Sequence, residues 1–472
     1  MNKFLNISNY IFLFKEKVGV RKMPESKFYV ATAVIAIVCI IVGFFAGSFM
    51  APTPAAITQT VTKTETVAGP GATVTKTVEK AAPYVVPGGK IWVPILNKYM
   101  TYDEIVEEIK KEGKVIVADW TYWGLVDTYF LNSYKKYVKD RFGVDVDIDV
   151  VGTQEAKGGF MYQLYSAYAA GMPAPYDVMH IEVNFFEEAV AKEVAEPFLP
   201  SALVPNLNLV DPFFFKDYLP YGVQFQQHAF CAPVVNLEHA GWIDEWTDFA
   251  DPRLKGKITL WSLTDNGFWG FLVTIAAALG KDYKNPDQMK EAIEWVAKNI
   301  HPNVLKYTSD EAEIIELSEK NITWITCYWC CSYEMEQAAG KKWLGRVLLK
   351  PFMPNLPGVV WIPKKAQHPI LAQLYVDWLL SPDFQFPDIN APGFAELDRT
   401  EAKKLWAGMT EGPLGYYYEQ FIPEWWGGKE NYYKVFPTIE DVKKFAAVKI
   451  DWIYVNEHAP EWVEYYQKLI GG

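Results

Sequence analysis

Residues 114–119, 144–150 and 176–182 read KVIVAD, VDVDIDV and YDVMHIE, and these three stretches decide the fold. The first is a short apolar run that ends on Asp119, and the third is a strand-length run that ends on Glu182. The second alternates Val144, Val146, Ile148 and Val150 with Asp145, Asp147 and Asp149, the period of a half-exposed strand. Between them the spacing predicts helices. Val126, Phe130, Tyr134 and Val138 recur every fourth residue, and helical stretches follow at Gln163–Ala170 and Phe185–Val194. Upstream, Thr101-x-x-Glu104 is a capping box that opens a further helix. Strands alternating with helices in this order give an α/β fold with a mostly parallel sheet. Such sheets hold ligands beyond the carboxyl ends of their strands, which picks out Asp119–Trp123 and Glu182–Asn184.

A second α/β run follows a long predicted strand, Gln224–Asn236. Lys257–Trp261 reads as a strand, Phe268–Leu279 as an apolar helix, and Asn285-Pro286 as a helix start. Thr308-x-x-Glu311 is a second capping box, and Ile322–Trp329, Val347–Pro351 and Val359–Pro363 are strands. Leu371, Leu374, Tyr375, Trp378 and Leu379 mark one face of a helix over Pro369–Leu380. Two such units joined by extended crossings predict two lobes around a central cleft. Residues 89–228 with 330–366 are expected in lobe 1. Residues 229–329 with 367–472, including a C-terminal helical extension, are expected in lobe 2.

The remaining sequence is different in kind. Residues 1–27 hold six Lys/Arg against two Glu, although the whole chain carries a net charge of −12. Residues 28–50, FYVATAVIAIVCIIVGFFAGSFM, contain no charge over 23 positions, and about 20 apolar residues suffice to cross a bilayer. The basic flank places the N-terminus in the cytoplasm, and the length favours an uncleaved signal anchor. Residues 51–88, rich in Thr and Pro with TVTKT at 60–64 and 73–77, read as an extended stalk. The expected location is therefore the cell membrane, crossed once, with the folded part outside. An acidic chain of this kind excludes a general nucleic-acid binder.

Several segments carry a family likeness. Trp120-Thr121-Tyr122-Trp123 follows the first strand, and Tyr176-Asp177-Val178 opens another. Trp246-Thr247-Asp248-Phe249-Ala250-Asp251-Pro252 precedes Lys255-Gly256-Lys257-Ile258. Ile362-Pro363-Lys364-Lys365-Ala366 precedes Ala372-Gln373-Leu374-Tyr375-Val376-Asp377-Trp378-Leu379-Leu380-Ser381-Pro382. Over roughly residues 114–385 the chain resembles the extracellular (periplasmic) solute-binding proteins of ABC transporters, in particular the spermidine/putrescine-binding family. The resemblance implies a type II periplasmic-binding-protein-like fold, no cofactor, no catalysis, and ABC permease and ATPase subunits as partners. It also implies a ligand site at Trp120, Thr121, Trp123, Glu182, Asn184, Asp265 and Trp329.

Carboxylates at Glu182 and Asp265 suit ammonium groups, and tryptophan faces, with Trp261 and Trp269 as further candidates, suit cations or sugar rings. Cys330 and Cys331 stand where the polyamine binders would place a polar contact, so a polyamine and a sugar both stay open as the solute. A surface-anchored carbohydrate-active hydrolase, using Glu182 and Asp265 as its two carboxylates, is the alternative. No G-x-S-x-G, Walker A or dinucleotide glycine pattern occurs, and no metal site is expected from the histidines or from Cys327-x-x-Cys330-Cys331. Cys231, Cys327, Cys330 and Cys331 are disulfide candidates, because the strands that carry them are expected side by side. Asn321-Ile322-Thr323 is a glycosylation sequon.

The topology is open to a direct test. Protease added to intact cells should release nearly the whole folded part by cutting within residues 51–88; protection of that stretch would overturn the orientation.

Overall fold

The structure, a computed structural model, describes residues 90–119, 127–152, 157–225, 231–347, 349, 357–410, 414–445 and 450–471. The expected anchor and stalk lie outside these residues. No helix among the described residues is long and apolar enough to cross a membrane.

A small hairpin, β1 (Ile91–Val93) with β2 (Lys98–Met100), leads into α1 (Tyr102–Glu112). The capping box forms as expected. The Thr101 hydroxyl accepts from the Glu104 N–H, and the Glu104 carboxylate accepts from the Thr101 N–H at 2.7 Å. The alternating units follow: β3 (Lys114–Asp119), α2 (Asp127–Phe142), β4 (Asp147–Gly152), α3 (Lys157–Ala169), β5 (Val178–Glu182) and α4 (Val183–Ala191). β3 pairs in parallel with both β4 and β5. β12 (Gly358–Trp361) then pairs antiparallel with β5, and β6 (Gly222–Gln224) antiparallel with β12. The first sheet thus runs β4-β3-β5-β12-β6.

The second sheet repeats the plan. β8 (Ile258–Leu260) lies in parallel between β9 (Val304–Tyr307) and β10 (Ile325–Trp329). β7 (Cys231–Asn236) pairs antiparallel with β10, and β11 (Leu344–Arg346) with β7, so the order is β9-β8-β10-β7-β11. Its helices are α5 (Asn266–Ala278), α6 (Pro286–Trp295), α7 (Glu311–Glu319) and α8 (Cys330–Ala338). Five sequence expectations change here, beginning with the strand expected at Val347–Pro351, which ends before Val347 and lies at Leu344–Arg346. The long strand 224–236 is two strands in different sheets. Strand β4 starts only at Asp147, so Val144 and Val146 precede it. Helix α7 is capped by Asp310 rather than by Thr308, whose hydroxyl instead accepts from the Asp310 N–H. Cys330 and Cys331 open a helix and do not extend a strand.

The division of the chain between the sheets also differs from the expected boundaries. β11 and α8 join the second sheet, so only β12 of 330–366 completes the first. Helix α9 (Pro369–Leu379) packs on α1, α2 and β3 of the first half. Helix α10 (Arg399–Thr410) follows it and packs on α8, and α11 (Trp452–Ile470) packs on α6 of the second half and on α4 of the first. The apolar face of α9 was visible as periodicity, but periodicity names a buried face and not its partner.

Two buried carboxylates fix the first half. Asp177, 1% exposed, accepts from the Ile116 and Gln367 N–H groups, each at 2.8 Å, and from the His368 N–H and ring. Asp377 on α9 accepts from the Asn206 N–H at 2.8 Å and from Tyr137 and Arg141 of α2. Burial pushes its carboxyl above the ordinary range, and Arg141 pulls against that shift. In the second half α5 is buried almost all round, on Trp246, Phe249 and Trp261. A Cβ at Gly267 would lie 2.8 Å from the indole nitrogen of Trp261, so glycine is what lets the helix approach the ring.

Asp177→Asn should destabilise the fold by about 2–4 kcal/mol, because buried donors from two segments lose a charged acceptor. Denaturant unfolding measures it, and a loss below about 1 kcal/mol would show that these bonds do not hold the half together.

Candidate functional site

In both sheets the strand order reverses at the first strand of the unit, β3 in one and β8 in the other. Loops leaving the two strands at such a reversal diverge, and they open a crevice at the carboxyl ends. At the first reversal Asp119 of β3 lies in register with His180 of β5. The Asp119 Oδ2 to His180 Nδ1 distance is 3.2 Å, and both side chains are buried. The ring of Phe225 meets the His180 imidazole edge-on at 3.6 Å between centroids, and the Tyr375 hydroxyl of α9 lies 3.5 Å from Nδ1. Nδ1 is thus held by the fold, while Nε2 makes no hydrogen bond among the described residues.

Two residues on, Glu182 ends β5 in register with Gly358 and is the N-cap of α4. It is 1% exposed, on the same face of the strand as His180. Asn184 sits in the first turn of α4, also buried, and its Oδ1 makes no hydrogen bond among the described residues. Asp119, His180, Glu182 and Asn184 therefore bring carboxylates, an imidazole and an amide to the carboxyl ends of β3 and β5. Trp120, Thr121 and Trp123 follow β3 directly in sequence and lie outside the described residues.

At the second reversal the predicted residues again fall at carboxyl ends. Asp265 lies in the loop after β8, and Trp329 is the last residue of β10. Asp265 already has structural work: its Oδ1 caps α5 through the Gly267 N–H at 2.7 Å, and its Oδ2 accepts from the Ser309 hydroxyl at 2.9 Å. Trp329 pairs with Cys231 across β7 and β10, and its side chain lies outside the described residues. The same pairing sets Cys327 opposite Pro233, so the strands carrying the cysteines run side by side. The side chains of Cys231, Cys327, Cys330 and Cys331 are outside the described residues. Trp261 is a core residue at 1% exposure, and Trp269 donates its indole N–H to the Leu263 carbonyl. Trp261 is therefore not available to stack on a solute, whereas Trp269 is half-buried. Asn321 of the sequon is exposed, with φ 54°.

His180 was absent from the predicted site, and Asp119, although it opens the stretch that the carboxyl-end rule picked out, was not among the named ligand residues. The signal for them was present, since Asp119 ends the first strand, and His180 alternates with Met179 and Ile181 within β5. Among the described residues no group of three or more His, Cys, Asp or Glu could hold a metal ion.

No family profile and no curated protein sequence matches the chain. Solved structures do. An ABC transporter structure from Clostridium perfringens has a TM-score of 0.52 at 18% identity, covering 75% of this chain and 99% of that one. A spermidine/putrescine ABC transporter substrate-binding protein from Streptococcus pneumoniae has a TM-score of 0.53 at 15% identity, covering 76% and 99%. A ferric ion-binding protein from Pasteurella haemolytica has a TM-score of 0.52 at 13% identity, covering 76% and 98%.

One substitution separates structure from binding in the second half. Asp265→Ala should lower stability by about 1–2 kcal/mol through loss of the α5 cap and of the Ser309 bond. Thermal unfolding without any solute reads this, and unchanged stability would mean that the cap bond does not hold α5. At these identities the likeness establishes the fold: the chain has the periplasmic-binding-protein-like α/β architecture, with mixed sheets, of the ABC transporter solute-binding proteins that its sequence resembles.

Proposed function

We propose that this chain is the membrane-anchored, extracellular solute-binding component of an ABC importer. It takes a small cationic or polar solute, a polyamine or a sugar, between its two sheet-centred halves. The observation that supports the reading is that Glu182 and Asn184 in the first half, and Asp265 and Trp329 in the second, lie at the carboxyl ends of strands beside the reversals of sheet order. Solute then bridges the halves, and its differential affinity for the closed arrangement is what would signal to a permease. Residues 28–50 would hold the chain to the membrane, and residues 51–88 would keep the folded part clear of it.

Buried Asp119 and Glu182 beside His180 favour a cation over an anion at the first reversal. The hydrolase alternative is disfavoured, because Asp265, its second carboxylate, uses both oxygens to hold α5 and Ser309.

Calorimetric titration with spermidine, putrescine and neutral sugars tests the proposal. A polyamine should bind, and Glu182→Gln should weaken it about tenfold or more, with the larger loss at low salt. Binding of a sugar, with no salt dependence of the Glu182→Gln effect, would assign a carbohydrate importer instead. Recovery of the solute in a chemically altered form would overturn the binding-protein reading.

A further inference from the structure

The described part of residues 386–445 packs on itself and is tied to the first half. Its core is aromatic: Trp406 of α10 packs on Phe386, Trp425, Trp426, Tyr432 and Phe436. Polar ties bind that body to the first half. The Tyr418 hydroxyl donates to the Leu380 carbonyl just after α9, the Asp211 N–H donates to the Leu414 carbonyl at 2.8 Å, and Lys443 pairs with Asp211 at 2.9 Å. Yet α10 also packs along α8, which belongs to the second half through its neighbours β10 and β11.

The contact between α8 and α10 is ionic at its centre. On the second half, Glu334 and Glu336 of α8 are buried, at 0% and 2% exposure. Arg346 pairs with Glu334 at 2.9 Å, and Lys341 pairs with both Glu336 and Glu319. Among the described residues of the second half, that cluster sets three carboxylates against two cations. The third cation is Lys404 of α10, which reaches Glu336 at 3.4 Å from the other half. Its neighbour Lys403 does not share the task, since it lies over the rings of Trp425 and Trp426 on its own side. An ion pair made across a boundary ties the two sides together, because separation takes one partner from a buried carboxylate.

A second bridge is apolar. Helix α11 packs on α6 of the second half and on α4 of the first, and Val455, Ala459 and Trp462 share one core with Val183, Phe186 and Ala189. We propose that the 386–445 body is an ion-pair latch between the halves, with Lys404 as its catch on Glu336 and α11 as the pivot about which the halves part. The latch rests on the reading that the halves separate to exchange solute. Glu336 keeps Lys341 when Lys404 lets go, so the second half stays folded on opening.

Hydrogen exchange by mass spectrometry, on the full chain in detergent and without any solute, tests this apart from the ligand question. Lys404→Met should speed exchange of the amides of both α8 and α10 by about tenfold, although only α10 carries the change, and should leave α9 and α5 slow. Lys404→Arg should keep both helices slow. Glu336→Gln, which removes the charge at similar volume, should reproduce the Lys404→Met pattern, and it serves if that variant does not fold. Unchanged exchange in α8, or an equal rise throughout both halves, would overturn the latch.

Discussion

A carboxylate placed where water cannot reach must be met by donors from the chain itself. Asp177 is met by donors from two segments, 61 residues before it and 190 and 191 residues after it. Those bonds bring the middle of β3, the entry to β5 and the start of α9 to one point. α9 then lies across β3, where its Tyr375 reaches His180 at the carboxyl end. Asp377, on the same helix, ties it to α2 and to the segment at Asn206. The geometry of the polar row at Asp119, His180 and Glu182 is thus inherited from acidic residues that stand behind the site.

How much of this the sequence disclosed depends on the range of the interaction involved. The Thr101 and Asn285 caps, the apolar α5 and the parallel strands β3 and β5 are set by residues a few positions apart, and each formed where the local pattern put it. The passage from β6 to β7 was invisible, because an extended run looks the same whether or not the chain changes sheets within it. Thr308 and Asp310 could both cap the next helix, and only the structure shows that the hydroxyl of the first serves the second. Of the candidate site residues, Glu182, Asn184, Asp265 and Trp329 were legible in their place at or just beyond strand ends. Their occupations were not: Trp261 has the same indole as a stacking residue, and only the close approach of Gly267 assigns it to the core.

The two sheets share one plan, with a strand that arrives from elsewhere in the chain inserted beside the parallel set in each. This plan is common to proteins whose names speak of solutes as different as a polyamine and a ferric ion. The architecture therefore offers two sets of strand ends and leaves the chemistry to whatever the loops carry there. Here those ends hold acids, an imidazole and an amide in the first half, and a capping aspartate in the second.

Helix α5 has a bearing on how such a protein could be made. It is 13 residues long, with nine of them buried, and it is apolar nearly all round. On the proposed topology the folded part reaches the outer side by being threaded, unfolded, across a bilayer, where α5 meets the same hydrocarbon that would retain residues 28–50. Retention needs about 20 apolar residues, and α5 falls well short of that length. On that topology its brevity would let one chain carry both an anchor that stops in the membrane and a core helix nearly as greasy that passes through it.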